Sequence, residues 1–208
     1  MTAGPGARIV LSVLGRPNRD RVAERRSATR SEILAAAWEA ARERGLANLT
    51  LRDVADRVGM RPPSLYSHVA SKNALYDAMF EQAWSECLAV MSERARNLPG
   101  TPRGVLRSLA ATFFDFCIED LARFQLMNQR IVIGFEPSDD AYAPSVATMA
   151  VFRKALAELE IREQQDVDLC VAIIGGLIDA QLANDPGGDR WRRLLDRAVD
   201  MFAENVGL

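Results

Sequence analysis

The chain has 208 residues, 49% of them hydrophobic and 26% charged. That balance excludes a disordered or low-complexity chain and gives enough length to bury a real core in one or two domains; the longest apolar runs, around 131–135 and 171–178, fall well short of the roughly 18 residues of a membrane span. The formal net charge of −2 hides a segregation: residues 1–72 hold 13 Lys+Arg and 7 Asp+Glu, whereas residues 73–208 hold 13 and 21, the pattern of a nucleic-acid reader carried on an acidic body.

Residues 1–26 carry Arg8, Arg16, Arg19, Arg21, Arg25 and Arg26 among Gly and Pro without sustained periodicity. They are expected to form a flexible basic arm that either tracks phosphates or the minor groove or is a disordered leader. The stretch ARIVLSVLG lacks the basic start of a secretion signal, so a cytoplasmic protein is expected. A helix-turn-helix domain over 27–73 follows. The spacing Thr29-Arg-Ser-Glu32 predicts a capping box, and Ile33, Leu34, Ala37, Trp38 and Ala41 then form an apolar stripe up to Gly45. Leu46 and Leu49 are expected to close a small core beneath the next two helices. Leu51, Val54, Ala55 and Val58 recur at helical spacing between an N-capping Thr50 and a terminating Gly59, and Pro62 and Pro63 suit the first turn of a further helix. With Leu65 and Val69 pointing inward, the outer face of that helix presents Pro62, Pro63, Ser64, Ser67 and His68. Two short helices around a glycine turn suit either a DNA reader or an ordinary helical hairpin.

Residues 74–208 read as a second, wholly helical domain. A long helix capped by Ser71 carries Leu75, Met79, Ala83, Cys87 and Met91 at helical spacing. Further helices are expected over about 101–121, 122–133, 145–159 and 164–182, and from Asp189 onward, with a turn at 184–188. Period-two alternation is missing throughout, so the fold class is all-α. Cys87, Cys117 and Cys170 are too widely spaced for a disulfide framework or a metal-ligand pair; they suit small buried hydrophobes, with a thiol sensor as the alternative.

At this point the residues resemble a known family. The segment TLRDVADRVG, a second helix ending SLYSHV, and SKNAL at the start of a long helix look like the TetR family of bacterial transcriptional repressors over roughly residues 28–80. The resemblance implies base or phosphate contacts for Arg52 and His68, base-facing positions for Pro62, Pro63 and Ser64, phosphate contacts for Tyr66 and Lys72, and a hydroxyl contact for Thr50; Ser67 completes the DNA-binding set. Pro62 and Pro63 offer no N–H and hence only apolar contact. Few strong hydrogen-bonding base readers are present, so part of the specificity is expected from DNA shape.

For the body, the resemblance implies a small-molecule effector between the helices and dimerisation through the last two. The apolar helix 164–182 and the stripe on the final helix carry more apolar surface than a terminal hairpin needs, which assigns Gly175, Gly176, Trp191, Leu195, Val199 and Phe202 to a homodimer interface. Trp84, Met91, Phe113, Phe116, Met127, Asn128, Phe152 and Gln181 are assigned to an effector pocket for a hydrophobic or amphipathic molecule. The expectation is a homodimeric repressor released from a double-stranded operator by that effector, with no cofactor, metal or catalytic residue. A constitutive dimeric DNA-binding protein without an effector is the alternative, and an all-α enzyme using the body's cavity a remote one.

Overall fold

The computed structural model describes residues 18–208, and over them the chain is nine α-helices with two short 3-10 turns and no strand. The first helix, α1 (Asn18–Arg44), buries Ile33, Leu34, Ala37, Trp38 and Ala41. It starts earlier than the stripe suggested, so residues 18–26 are helix rather than arm, and Thr29 lies inside the helix instead of capping it. The cause is composition: Arg, Glu and Ala are good helix formers, and residues 21–28 are exposed on every side, so they carry no apolar stripe to be read. The remainder of the expected arm, 1–17, lies outside the described residues.

Thr50 accepts a hydrogen bond from Asp53 N at 3.1 Å and opens α2 (Leu51–Val58). Gly59 closes it at φ 72°, a left-handed conformation natural to glycine. After α3 (Pro62–Tyr66), Ser71 accepts from Ala74 N and starts α4 (Lys72–Arg96). Leu46, Leu49, Val54, Ala55, Leu65, Val69 and Leu75 are all buried where these helices meet. Trp38 Nε1 donates to Gln82 Oε1 at 3.2 Å, and the buried Tyr76 hydroxyl donates to the Leu46 carbonyl, fixing the small domain on the first turns of α4.

The body follows as α5 (Pro102–Ile118), α6 (Leu121–Asn128), α7 (Asp139–Glu158), α8 (Gln164–Asn184) and α9 (Leu195–Asn205). Two boundaries differ from expectation. The helix expected to run to 133 stops at Asn128, and α7 starts six residues early because Ser138 caps it by accepting from Ala141 N and Asp139 and Asp140 favour its positive end. Pro144 then lies inside α7, in its second turn, where its missing N–H forfeits one helical hydrogen bond. The last helix begins at Leu195 rather than near 189, after a 3-10 turn over Arg192–Leu194.

Within the body α4 lies along α7, and α5 packs against α4, α8 and α9. Arg42 bridges the end of α1 to Asp120, the cap of α6, at 2.7 Å. All three cysteines are buried, and desolvation pushes the thiols of Cys87 and Cys170 up to about 12 and that of Cys117 still higher, which disfavours the reactive thiolate. Among the described residues no helix is long and apolar enough to cross a membrane.

Candidate DNA-binding face and ligand cavity

The turn between α2 and α3 puts Arg52, Pro62, Pro63, Ser64, Tyr66, Ser67 and His68 on the exposed surface of the small domain. Arg52 has 84% of its side chain exposed and only a loose 4.0 Å pairing with Asp56, so its guanidinium is available to a partner. Its neighbour Arg57 is not: Glu43 and Glu39 bracket it, and the Glu43 hydrogen bond holds its pKa above the usual value. Tyr66 is 54% exposed.

The start of α3 has no free amide to offer a phosphate. Pro62 and Pro63 have no N–H, and the first two amides after them, of Ser64 and Leu65, both bond to the Arg61 carbonyl, at 2.8 and 3.3 Å. Ser67 likewise gives its hydroxyl proton to the Ser64 carbonyl at 2.7 Å. Arg61, the N-cap of α3, is exposed and has no ion pair among the described residues. Arg61 is absent from the expected contacts because the helix is expected to open at Pro62, and the only sequence signal for it is a cation just before a proline pair.

Thr50 is placed differently from a free hydroxyl. It donates to Asp53 Oδ2 at 2.6 Å while accepting from Asp53 N. That hydrogen bond, followed by the Arg44 charge, holds the Asp53 carboxyl below its usual pKa. The Thr50 proton is thus committed within the helix cap.

Lys72 stands at the first turn of α4, where its Nζ donates to the Ala47 carbonyl at 3.0 Å and lies 5.4 Å from the centre of the Tyr76 ring. An ammonium has three protons, so two remain beside the free amides of the helix start, where an anion is favoured.

The body holds a cavity of about 280 Å³ between α4, α5, α6, α7 and α8, with the exposed residues Asn128, Val171 and Asp179 in its wall. Trp84, Met91, Phe113, Asn128 and Phe152 line it, together with Phe124, Met149 and Ile174. Three expected pocket residues lie elsewhere. Phe116 is buried with the Arg123 guanidinium 3.8 Å from its ring centre. Met127 faces a separate depression of about 440 Å³ beneath the 129–138 loop. Gln181 is buried in the α8–α9 turn, where its Oε1 accepts from Trp191 N and Arg192 N at 2.9 and 3.1 Å and its Nε2 donates to the Gly188 carbonyl at 3.1 Å. The connection over 185–192 supplies these partners, and they leave the amide nothing for a ligand.

The expected interface residues also divide. Leu195, Val199 and Phe202 are all at most 2% exposed, packed inside the protomer, because α9 uses that stripe against α5. Trp191 is half-buried and Gly175 faces the cavity; only Gly176 is on the outer surface. The outer face instead carries Leu169, Ala172 and Gly176 of α8 and Met201 of α9, with Leu194 just before that helix. Their spacings of three, four and seven make them surface stripes that periodicity could not separate from the buried ones.

The 129–138 loop fastens the body to the DNA-binding end of α4. Asp77 accepts from Ser138 N at 2.8 Å and from its hydroxyl, Asn73 Nδ2 donates to the Gly134 carbonyl at 3.4 Å, and the Phe135 ring lies 5.4 Å from that of Tyr76.

The model of bacterial regulatory proteins, tetR family, matches residues 33–79, which run from α1 through α3 into α4. The transcriptional activator FasR of Mycolicibacterium smegmatis is 30% identical over 102 residues, covering 49% of this chain and 46% of FasR, so the chain spans about half the length of that relative. The class A tetracycline repressor protein from transposon 1721 of Escherichia coli is 39% identical over 189 residues, covering 83% of this chain and 80% of the repressor. The crystal structure of the regulatory protein SCO4313 superposes with a TM-score of 0.74 at 21% identity, covering 91% of this chain and all of that one. With the family model on the helix-turn-helix and a 39% identical relative matched over 83% of the chain, the chain belongs to the TetR family of bacterial DNA-binding transcriptional regulators.

Proposed function

We propose that this regulator is a homodimeric repressor, released from its operator when a hydrophobic or amphipathic molecule fills the 280 Å³ cavity. The observation that carries the reading is the shared helix: Trp84 and Met91 in the cavity wall and Lys72 beside the reader all stand on α4. Trp84 follows Lys72 by twelve residues, or roughly 18 Å at the helical rise. A ligand that tilts α4 therefore moves the reader, provided it binds the tilted state more tightly than the DNA-competent one. The cavity is about twice the ~150 Å³ apolar cavity known to take up benzene. A constitutive DNA-binding dimer has no use for such a void, which costs stability when empty.

On DNA, Arg52, Arg61, Tyr66 and His68 address base edges and backbone, while Pro62, Pro63, Ser64 and Ser67 set the closeness of approach. Lys72 clamps a phosphate. Thr50 acts through Asp53 by holding the start of α2. The outer stripes of α8 and α9 form the dimer seam, with Gly176 allowing the partner's helix to come close. Two readers about 34–36 Å apart then meet successive major grooves.

The experiment is selection of genomic fragments by the purified protein, followed by anisotropy with a selected duplex in the presence of 1-naphthylmethylamine, 1-naphthylmethanol and 1-naphthoate. At least one ring probe lowers duplex affinity tenfold or more if the reading holds. Probes that bind the protein by calorimetry yet leave duplex affinity unchanged would show that the cavity does not control the reader.

A further inference from the structure

We infer that the ligand of the cavity carries a positive charge, as a protonated amine or quaternary ammonium on a hydrophobic frame. This rests on the cavity being the effector site and names the chemical class that its polar groups select. The wall contains no Lys, Arg or His. Its one formal charge is the Asp179 carboxylate on α8, which makes no ion pair among the described residues. Gln129 Nε2 donates to Asp179 Oδ1 at 2.9 Å, which orients the carboxylate without neutralising it.

The neutral polar groups point the same way. Ser145 and Thr148 are buried in the wall, and each has already given its hydroxyl proton to a backbone carbonyl, of Tyr142 at 2.7 Å and Pro144 at 2.8 Å. What they present to a ligand is lone pairs. Asn128 donates one amide proton to the Phe124 carbonyl at 3.3 Å, which leaves its Oδ1 and its second N–H to a ligand. A wall with more acceptors than donors, and at its edge an exposed carboxylate that has no ion pair, rewards donors and cations and penalises anions.

The apolar part of the wall adds to that preference. The Trp84 and Phe113 rings lie nearly parallel, 22° apart with centres 6.5 Å from each other, and aromatic faces carry the negative end of the ring quadrupole, which attracts ammonium groups. Besides the second Asn128 N–H, the wall holds one more donor, the buried Trp84 Nε1, which has no partner; it fits a ligand that also holds one ether, carbonyl or hydroxyl oxygen away from its charge. Gly175 supplies the room, since a Cβ built there meets nothing within 4 Å.

Calorimetry of the full-length protein with three probes that share one ring system tests this: 1-naphthylmethylamine, cationic at pH 7; 1-naphthylmethanol, neutral; and 1-naphthoate, anionic. The amine is expected to bind at least tenfold more tightly than the alcohol, and the naphthoate more weakly than either. In Asp179→Asn, whose amide oxygen still accepts from Gln129, the amine loses that advantage while the alcohol keeps its affinity. Because Asp179 is exposed on a helix, the variant is expected to melt with the wild type, and a loss of both probes together with the melting transition is read instead from Asp179→Glu, which restores the preference. Equal binding of all three probes, or an amine preference that survives in Asp179→Asn, overturns the charge selection while leaving an effector cavity in place. If none of the three binds, and Gly175→Leu behaves as wild type in operator release by cell extract, the cavity reading falls as well.

Discussion

Filling the cavity from the backbone at Gly175 should make the protein more stable and unresponsive at once, the reverse of what most interior substitutions do. Gly175 lies in the middle of α8 and lines the cavity, and a Cβ there meets nothing within 4 Å. Replacing Gly by Leu inside a helix gains about 0.8 kcal/mol of helix propensity. Burying the leucine side chain adds roughly 1.5–3 kcal/mol if it is wholly enclosed. Partial fit in a wall of aromatic rings lowers the total, so about 2 kcal/mol is a reasonable expectation for Gly175→Leu, or a rise in Tm of about 4–8 °C for a chain of this size. Circular dichroism melts measure the first effect, and calorimetry with 1-naphthylmethylamine together with anisotropy on a selected operator duplex measures the second. The variant is expected to bind the duplex like the wild type, to take up the probe at least tenfold more weakly, and to stay on DNA when probe is added. A lowered Tm would refute the claim of open room at Gly175, and undiminished probe binding would place the ligand elsewhere.

Other substitutions separate the remaining roles. Lys72→Ala should weaken binding to every DNA sequence and reduce the slope of log affinity against log salt by about one, as loss of a single phosphate contact does. Arg52→Ala, by contrast, should cost about 1–3 kcal/mol on the preferred site and flatten discrimination at one base position, read by competition with single-substituted duplexes. Gly176→Leu places a side chain on the outer face of α8, where a built Cβ meets nothing within 4 Å in the protomer; sedimentation should show monomers that keep their helicity. Gln181→Leu leaves Trp191 N, Arg192 N and the Gly188 carbonyl without their partner. At about 1 kcal/mol for each broken bond, it should lower the Tm by roughly 6–12 °C.

Much of this molecule was legible where local chemistry and burial agree. Thr50 and Gly59 bracket α2 through side-chain and backbone preferences that need no tertiary context, and the five apolar positions 75, 79, 83, 87 and 91 of α4 are all buried. Legibility failed where a helix has no stripe or has too much of one. Residues 21–28 of α1 are exposed all round, so nothing but propensity marks them. The helix expected from 145 starts at Asp139, because Ser138 caps α7 upstream and Pro144 lies within it.

The site shows the same limits. Periodicity gave the stripe of Leu195, Val199 and Phe202 but not its partner, which is α5 of the same chain. Gln181 stood out as a polar group in an apolar helix, and only the turn at 185–192 reveals that its bonds are spent there. Asp179 and Gly175 line the cavity on α8, one turn apart; periodicity placed Gly175 in a dimer interface instead. Which face of an apolar helix turns to a cavity depends on the crossing of its neighbours, and that is tertiary information.

The central claim is that the state of the cavity sets the position of the reader through α4. Ala70 is exposed at the end of the reader, and the three native cysteines are buried, so Ala70→Cys takes a single spin label per protomer. The distance between the two labels of the dimer, measured by pulsed dipolar spectroscopy, tests the claim most directly. It should be narrowly distributed on operator duplex, shift by several ångströms when a calorimetrically saturating naphthyl probe is added, and stay at the duplex-bound value when Gly175→Leu is treated with the same probe. A probe that saturates the wild-type cavity and leaves the distance unchanged would contradict the account.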